Sequence, residues 1–318
     1  CGLMLPRMRS RLLQRSMARP SASRLRKQAE RDDTTVQRGL SMKYEFVPAI
    51  EGSRVDHVGS YRRRLPVSLE RMYENTLDWQ HLPHLHSSSF TSLAIETAGA
   101  WGWRATVMSG EGQQAATSLI ELKLDRDARR WITRNLAGPH VGAEIWTHVF
   151  VVSERVLDIV VDFFVPDVPA EAKVKVGQAY AMSYERLYDE DVEMMTERQR
   201  QLDQRLDGVD ETQVLDLCSS ITATLPQTVT LSGRRFVLNR IDAVDSDEEG
   251  QWVVYPARCP HQLGSLAGAP LIDGVVRCPW HGYQFDVRTG ACISGSRCQF
   301  GRTPKVTEQA GKVTLSWV

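Results

Sequence analysis

Alternating and 3.6-residue patterns divide the chain into two β-rich segments joined by one long helix. Val55 to Leu65 reads as a strand, and after Pro66 the run Ser68-Leu69-Glu70 opens a helix. Its apolar positions Leu69, Met72, Tyr73 and Leu77 recur at helical spacing, and Pro83 is expected to break or bend it. Six stretches of strand character follow: Phe90–Glu96, Trp101–Met108, Ala115–Leu124, Arg130–Asn135, Glu144–Val152 and Val156–Phe164. Turn signals such as Ser109-Gly110 and Asp125-Arg126-Asp127 bound them. After Pro166 and Pro169 a helical pattern runs from about Glu171 to about Leu206, and Asp207-Gly208 closes it. Tyr180, Tyr184, Leu187, Met195 and Leu202 form one stripe on that helix. At roughly 100° per residue Asp191 falls within the stripe and Asp189 on the opposite face. The rest is all-β, with strands at Thr228–Leu231, Arg235–Leu238, Trp252–Tyr255 and Lys312–Trp317. The expected class is α+β, with a mixed domain over 42–208, a linker over 209–218 and an all-β domain over 219–318.

Composition narrows the functional classes. A chain of 318 residues accommodates about two domains. Its 39 basic and 39 acidic residues cancel, so nothing points to nucleic acid or an anionic membrane. No apolar run approaches the roughly 18 residues of a membrane helix; a soluble, cytoplasmic protein is expected. Six cysteines show no disulfide framework, which suits a reducing compartment. Residues 1–41 are rich in Arg and Ser, with Met42 opening the first globular sequence. They resemble a transit peptide in composition, but are read here as a disordered basic leader.

Two cysteines stand in a patterned pair of half-sites. Cys259-Pro260-His261 is followed, after sixteen residues, by Cys278-Pro279-Trp280-His281-Gly282. Tetrahedral zinc also takes two Cys and two His, but zinc fingers usually keep their Cys pair and His pair apart. Here each half-site holds one of each. That set, with the continuation Tyr283-Gln284-Phe285-Asp286-Val287-Arg288-Thr289-Gly290, resembles Rieske ferredoxin-type domains. The resemblance implies a 2Fe–2S cluster on Cys259, His261, Cys278 and His281, the imidazoles raising its potential above that of all-Cys clusters. Respiratory Rieske proteins add a cysteine to each loop. Leu263-Gly264-Ser265 and Trp280 occupy those places here, which points to the oxygenase and ferredoxin type.

A second constellation sits near the first helix, in Asn75, Asp78, His81, His84 and His86. Alone, such a helix end is more often a polar surface. Tyr73, Leu77 and His81 at i, i+4 and i+8 would turn His81 inward, while His84 rivals His86 as a partner beyond Pro83. An unpaired Asp191 facing an apolar interior is costly, and metal coordination offsets that cost; a bond to a tyrosine or the backbone is the bland alternative. Together with the Tyr188-Asp189-Glu190-Asp191-Val192-Glu193 run, these residues resemble the iron motif of Rieske non-haem oxygenases. The resemblance implies mononuclear Fe(II) on His81, His86 and Asp191, open for O2, with Asp78 bridging the two metal sites. The order strand, helix, six strands, long helix likewise resembles the helix-grip, START-like fold, whose sheet and helix enclose an apolar cavity. Those oxygenases usually place the Rieske domain first, so the order here is reversed and the segment 42–206 is short for the family. Their assembly lets one subunit's cluster serve its neighbour's iron; which iron is served here stays open.

The expectation is a Rieske-type oxygenase that hydroxylates or oxidatively demethylates a small apolar or aromatic substrate. No dinucleotide fingerprint occurs, so an NAD(P)H-dependent reductase or ferredoxin is the implied partner, and a homo-oligomer the implied assembly. The rival is an electron carrier or redox sensor with a non-catalytic ligand-binding domain; a cyclase or lyase acting without O2 is a third reading. His148, alternating with Trp146 and Phe150, lines the cavity or is an ordinary histidine. His57 and His140 read as turn or surface residues. Arg258 and Arg277 tune the cluster or face solvent.

Overall fold

A computed structural model describes residues 55–110, 112, 115–204, 208–218, 221, 224–241 and 250–317; the expected leader, 1–41, lies outside them. The chain is α+β. Strand β1 (Val55–Leu65) precedes helix α1 (Leu69–Leu77), a 3-10 turn (Trp79–His81) and the single-turn α2 (Leu82–Leu85). Strands β2 (Ser92–Gly99), β3 (Gly102–Ser109), β4 (Ala116–Asp125), β5 (Arg130–Ala137), β6 (Glu144–Ser153) and β7 (Val156–Pro166) follow, then α3 (Lys173–Asp203). The seven strands form one antiparallel sheet in the order β1-β7-β6-β5-β4-β3-β2. This is the helix-grip arrangement, with α3 laid across the inner face.

Strict alternation specifies that inner face. In β7 Leu157, Ile159, Val161, Phe163 and Val165 are all buried while the residues between them are not; a one-residue slip would expose the whole set. Phe163 packs between Tyr180 and Tyr184 of α3, with both ring centroids at 5.3 Å. Where α3 crosses β1 the backbones almost touch. A Cβ on Gly177 would lie 2.1 Å from the Val58 carbonyl oxygen, so only glycine allows this approach.

The first helix departs from expectation. It ends at Leu77, capped by Asp78, and Pro83 starts α2 in its first turn instead of breaking a continuing helix. Proline lacks only an N–H that a first turn leaves unpaired anyway. The expected Tyr73–Leu77–His81 stripe is therefore not one face: Arg71, Met72 and Thr76 are the buried positions of α1, and the 3-10 turn resets the phase before His81. On α3 the stripe fades at its end, where Leu202 is exposed.

The second lobe comprises three three-stranded sheets: β9 (Gln227–Leu231), β10 (Arg234–Ile241) and β11 (Gln251–Pro256); β12 (Leu271–Ile272), β13 (Val275–Arg277) and β14 (Gln284–Asp286); and β15 (Lys305–Gln309) and β16 (Lys312–Ser316) with β8 (Val214–Cys218). The expected linker over 209–218 is thus half strand. Val214–Cys218 pairs antiparallel with Lys312–Ser316, because Leu215 and Leu217 fill the core behind Val313 and Leu315. No helix among the described residues is long and apolar enough to cross a membrane.

Candidate metal centre

Two tight turns carry the four expected cluster residues. Cys259-Pro260-His261 follows β11, and Cys278 to Gly282 joins β13 to β14. Each turn closes on its cysteine: Leu263 N–H donates to the Cys259 carbonyl (3.0 Å), and Gly282 N–H to that of Cys278 (2.9 Å). Leu263 and Gly282 both have φ +67. Cys259 and Cys278 are buried, and the His261 and His281 ring centroids are 4.6 Å apart. The Nδ1 atoms of both histidines are buried without a hydrogen-bond partner. The thiols push one another apart in acidity, Cys278 down and Cys259 up, since two adjacent thiolates need a cation between them. Orphaned imidazole nitrogens facing paired thiols fit a 2Fe–2S cluster.

The second set converges inside the first lobe. His81, His86 and Asp191 are all buried, and one ligand atom from each lies within 4.8 Å of the others. Asp191 Oδ1 is 3.0 Å from His86 Nε2 and 3.5 Å from His81 Nε2. Burial pushes the Asp191 carboxyl up, but the His86 hydrogen bond, the charges of His81 and His86 and the Asn75 amide together hold it below the usual range. Two imidazoles and one carboxylate at a cavity wall, with their atoms this close, could hold a metal ion. Bidentate pairing of Arg198 on α3 with Glu74 on α1 (2.7 and 2.5 Å) ties the helix that carries Asp191 to the one that leads into the turn carrying His81.

Partners that the sequence did not reveal complete the triad's surroundings. Glu190 accepts from His86 Nδ1 at 2.5 Å, which fixes the ring with Nε2 toward Asp191. Asn75 Nδ2 donates to Asp191 Oδ1 at 2.8 Å. The only early signals were Asn75 standing in the motif and Glu190 adjoining Asp191. His84 goes elsewhere: Arg277 donates to its Nδ1 at 3.3 Å, and its ring covers Gly282 of the cluster turn. His148 lies on the sheet's outer face, 4.0 Å from Asp162 and beside the exposed Phe150, away from the cavity. His57 is half-exposed beside the same Asp162, and His140 sits at a positive-φ turn. Arg258 is not solvated; it pairs with Glu197 of α3.

The triad opens on a cavity of about 130 Å³, walled by Phe90, Trp103, Ile120, Leu122, Trp131 and Tyr184. Neither Lys nor Arg lines it.

Asp78 lies between the two sets. His281 Nε2 donates to its Oδ2 at 2.7 Å, and Gln262 Nε2 donates to the same oxygen at 3.0 Å. On the other side His81 Nδ1 is 3.9 Å away, too far for a hydrogen bond. A carboxylate at a helix C-terminus opposes the helix dipole; here the two donors offset that cost. Burial pushes the Asp78 carboxyl up, but His281 and His81 override it and hold that carboxyl far below the usual range.

A Rieske 2Fe-2S domain family matches residues 212–303, which implies a 2Fe–2S cluster in the second lobe. The chain is similar to Protein TIC 55, chloroplastic, from Arabidopsis thaliana, at 34% identity over 27% of this chain and 15% of that protein. The protein of that name from Pisum sativum is 32% identical over 27% and 14%. The chain thus spans about one seventh of the length of these relatives. Among solved structures, it is similar to a START superfamily protein from Mycobacterium smegmatis (13% identity, 45% of this chain and 99% of that one, TM-score 0.37). Norcoclaurine synthase from Thalictrum flavum is likewise similar (15%, 50% and 96%, TM-score 0.37). These structural likenesses imply nothing about activity.

Proposed function

We propose that this chain is a Rieske-type mononuclear iron oxygenase acting on a small apolar or aromatic substrate, with electrons from a separate reductase or ferredoxin. The observation that carries the reading is the convergence of His81, His86 and Asp191 at the wall of an apolar cavity, with Asp78 lying between His81 and His281 and bonded to the latter. Cys259, His261, Cys278 and His281 would hold the 2Fe–2S cluster, and the triad Fe(II). Bound there, the metals supply one-electron delivery and O2 activation. The protein supplies the rest. Glu190 fixes which nitrogen His86 presents, and Asn75 orients the Asp191 carboxylate. Trp103, Trp131 and Phe90 exclude water and hold a flat apolar substrate against the triad.

Metal content tests this directly. The reconstituted protein is expected to bind about three irons per chain, two in the cluster and one at the triad. Asp191→Ala should remove one without bleaching the cluster's visible spectrum. An unchanged count in Asp191→Ala would refute the triad. A count of about two in the unaltered chain would leave the electron carrier or redox sensor as the better reading.

A further inference from the structure

The oxygenases this chain resembles deliver electrons between subunits, and the reversed domain order leaves open what happens here. We propose that the two metal centres of a single chain serve one another, with no second copy needed at the contact. The inference rests on the reading under Proposed function. What carries it is occupancy: the place where a neighbour's cluster turn would dock is filled by the chain's own.

Asp78 is the only carboxylate within 4 Å of both His281 and His81 among the described residues, and its side chain is 7% exposed. The group that accepts at 2.7 Å from His281 also accepts from Gln262, and both donors belong to the same chain's cluster turns. A histidine from a second copy could bond this Asp78 oxygen only by competing with both. Around this point the lobes are tied at several further places. Tyr283 O–H donates to Gln80 Oε1 at 3.0 Å, Arg258 pairs with Glu197, and Arg277 reaches His84. Apolar packing crosses the boundary as well. Met194 of α3 is buried within the second lobe's core, and Leu85 of α2 packs against that core. Such a contact is a shared core with a satisfied polar centre, not a loose surface that a partner could borrow.

The transfer moves one electron and makes or breaks no covalent bond. The reduced cluster is oxidised by one electron, the triad side is reduced by one with O2 as terminal oxidant, and an external one-electron donor restores the cluster.

The test uses the full-length chain with both metal sites loaded and the cluster reduced by dithionite. Oxidation of the cluster on mixing with O2 is followed by its visible absorbance, with sedimentation run at each protein concentration. The expected rate constant is unchanged over about a hundredfold dilution, including concentrations at which only single chains sediment. A rate that falls as chains separate would overturn the proposal. Should the chains stay associated throughout, Asp191→Ala and Cys278→Ser chains are co-expressed with different tags and purified as mixed assemblies. One then holds a cluster without its own iron, the other the iron without a cluster. The mixed assembly is expected to oxidise as slowly as Asp191→Ala alone; recovery of the unaltered rate would overturn the proposal. If Cys278→Ser does not fold, His261→Ala serves as the cluster-deficient partner. Failure of the oxygenase reading itself would show separately, as two irons per chain.

Discussion

Gly282→Ala places the contact between the lobes under a defined load. Gly282 has φ +67, and a Cβ there would lie 2.5 Å from His84 Cε1 and 2.7 Å from its Nε2. Ordinary contact begins near 3.4 Å, so turn and ring must separate by about 0.9 Å. His281 precedes Gly282 in the same turn. A shift of that size would lengthen its 2.7 Å bond to Asp78 to about 3.6 Å, beyond hydrogen-bond range. The left-handed backbone costs about 1–2 kcal/mol for alanine, and the overlap about 1–3 kcal/mol. The expected result is a melting temperature lower by roughly 5–15 °C, together with slower oxidation of the reduced cluster by O2 at unchanged iron content. Adding His84→Ala should recover the overlap part and leave the backbone part, a separation that the double-variant cycle reads directly. If Gly282→Ala melts within about 1 °C of the unaltered chain, or if His84→Ala restores nothing, the described packing of the cluster turn on His84 is wrong.

Asp78→Asn should keep an acceptor for His281 and Gln262, whereas Asp78→Ala strands both donors in a buried place. The alanine variant is therefore expected to be less stable by about 1–3 kcal/mol per stranded donor, read by thermal melting. Burial pushes the Glu197 carboxyl up, but Arg258 and Arg200 override it, so it sits below its ordinary value of 4.5. A depressed carboxyl contributes stability that is fully present above the ordinary value and lost as pH falls through the lowered one. Glu197→Gln should remove that part of the acid sensitivity, and a melting profile below pH 4.5 identical to the unaltered chain's would count against it. Met194→Ala should cost about 2–5 kcal/mol, since this α3 residue is buried in the other lobe's core. A mild chelator should strip the triad before the cluster, because two imidazoles and one carboxylate would hold a single iron there whereas thiolates anchor the cluster; loss of the visible spectrum first would contradict this.

Local pattern accounted for much of this protein. Alternation located all seven strands of the first sheet to within two residues at most ends, because one face of each is buried and the side-chain period is fixed at two. Helical arithmetic placed Asp191 on the inner stripe of α3 and Asp189 outside, where it pairs with Arg63 at 2.6 Å. The spacing of two Cys and two His pointed to a Rieske domain, which a family match over 212–303 supports, and the four residues lie on two short turns whose chemistry is local. His81 shows how a local argument can reach its target by the wrong route: it is buried, but through a 3-10 turn and not along a continuous helix.

What only the tertiary structure decided are the contacts between residues far apart in the chain. Between His84 and His86, periodicity beyond Pro83 offered no choice; packing turned one toward Gly282 and the other toward Glu190 and Asp191. The strand at Val214–Cys218 was invisible because its partner lies at the opposite end of the lobe. Asp78 and His281 are 203 residues apart and meet at 2.7 Å. No period along the chain encodes that meeting. It depends on how the two lobes bury Met194 and Leu85 together, and this packing brings Asp78 of the first lobe against the cluster turns of the second.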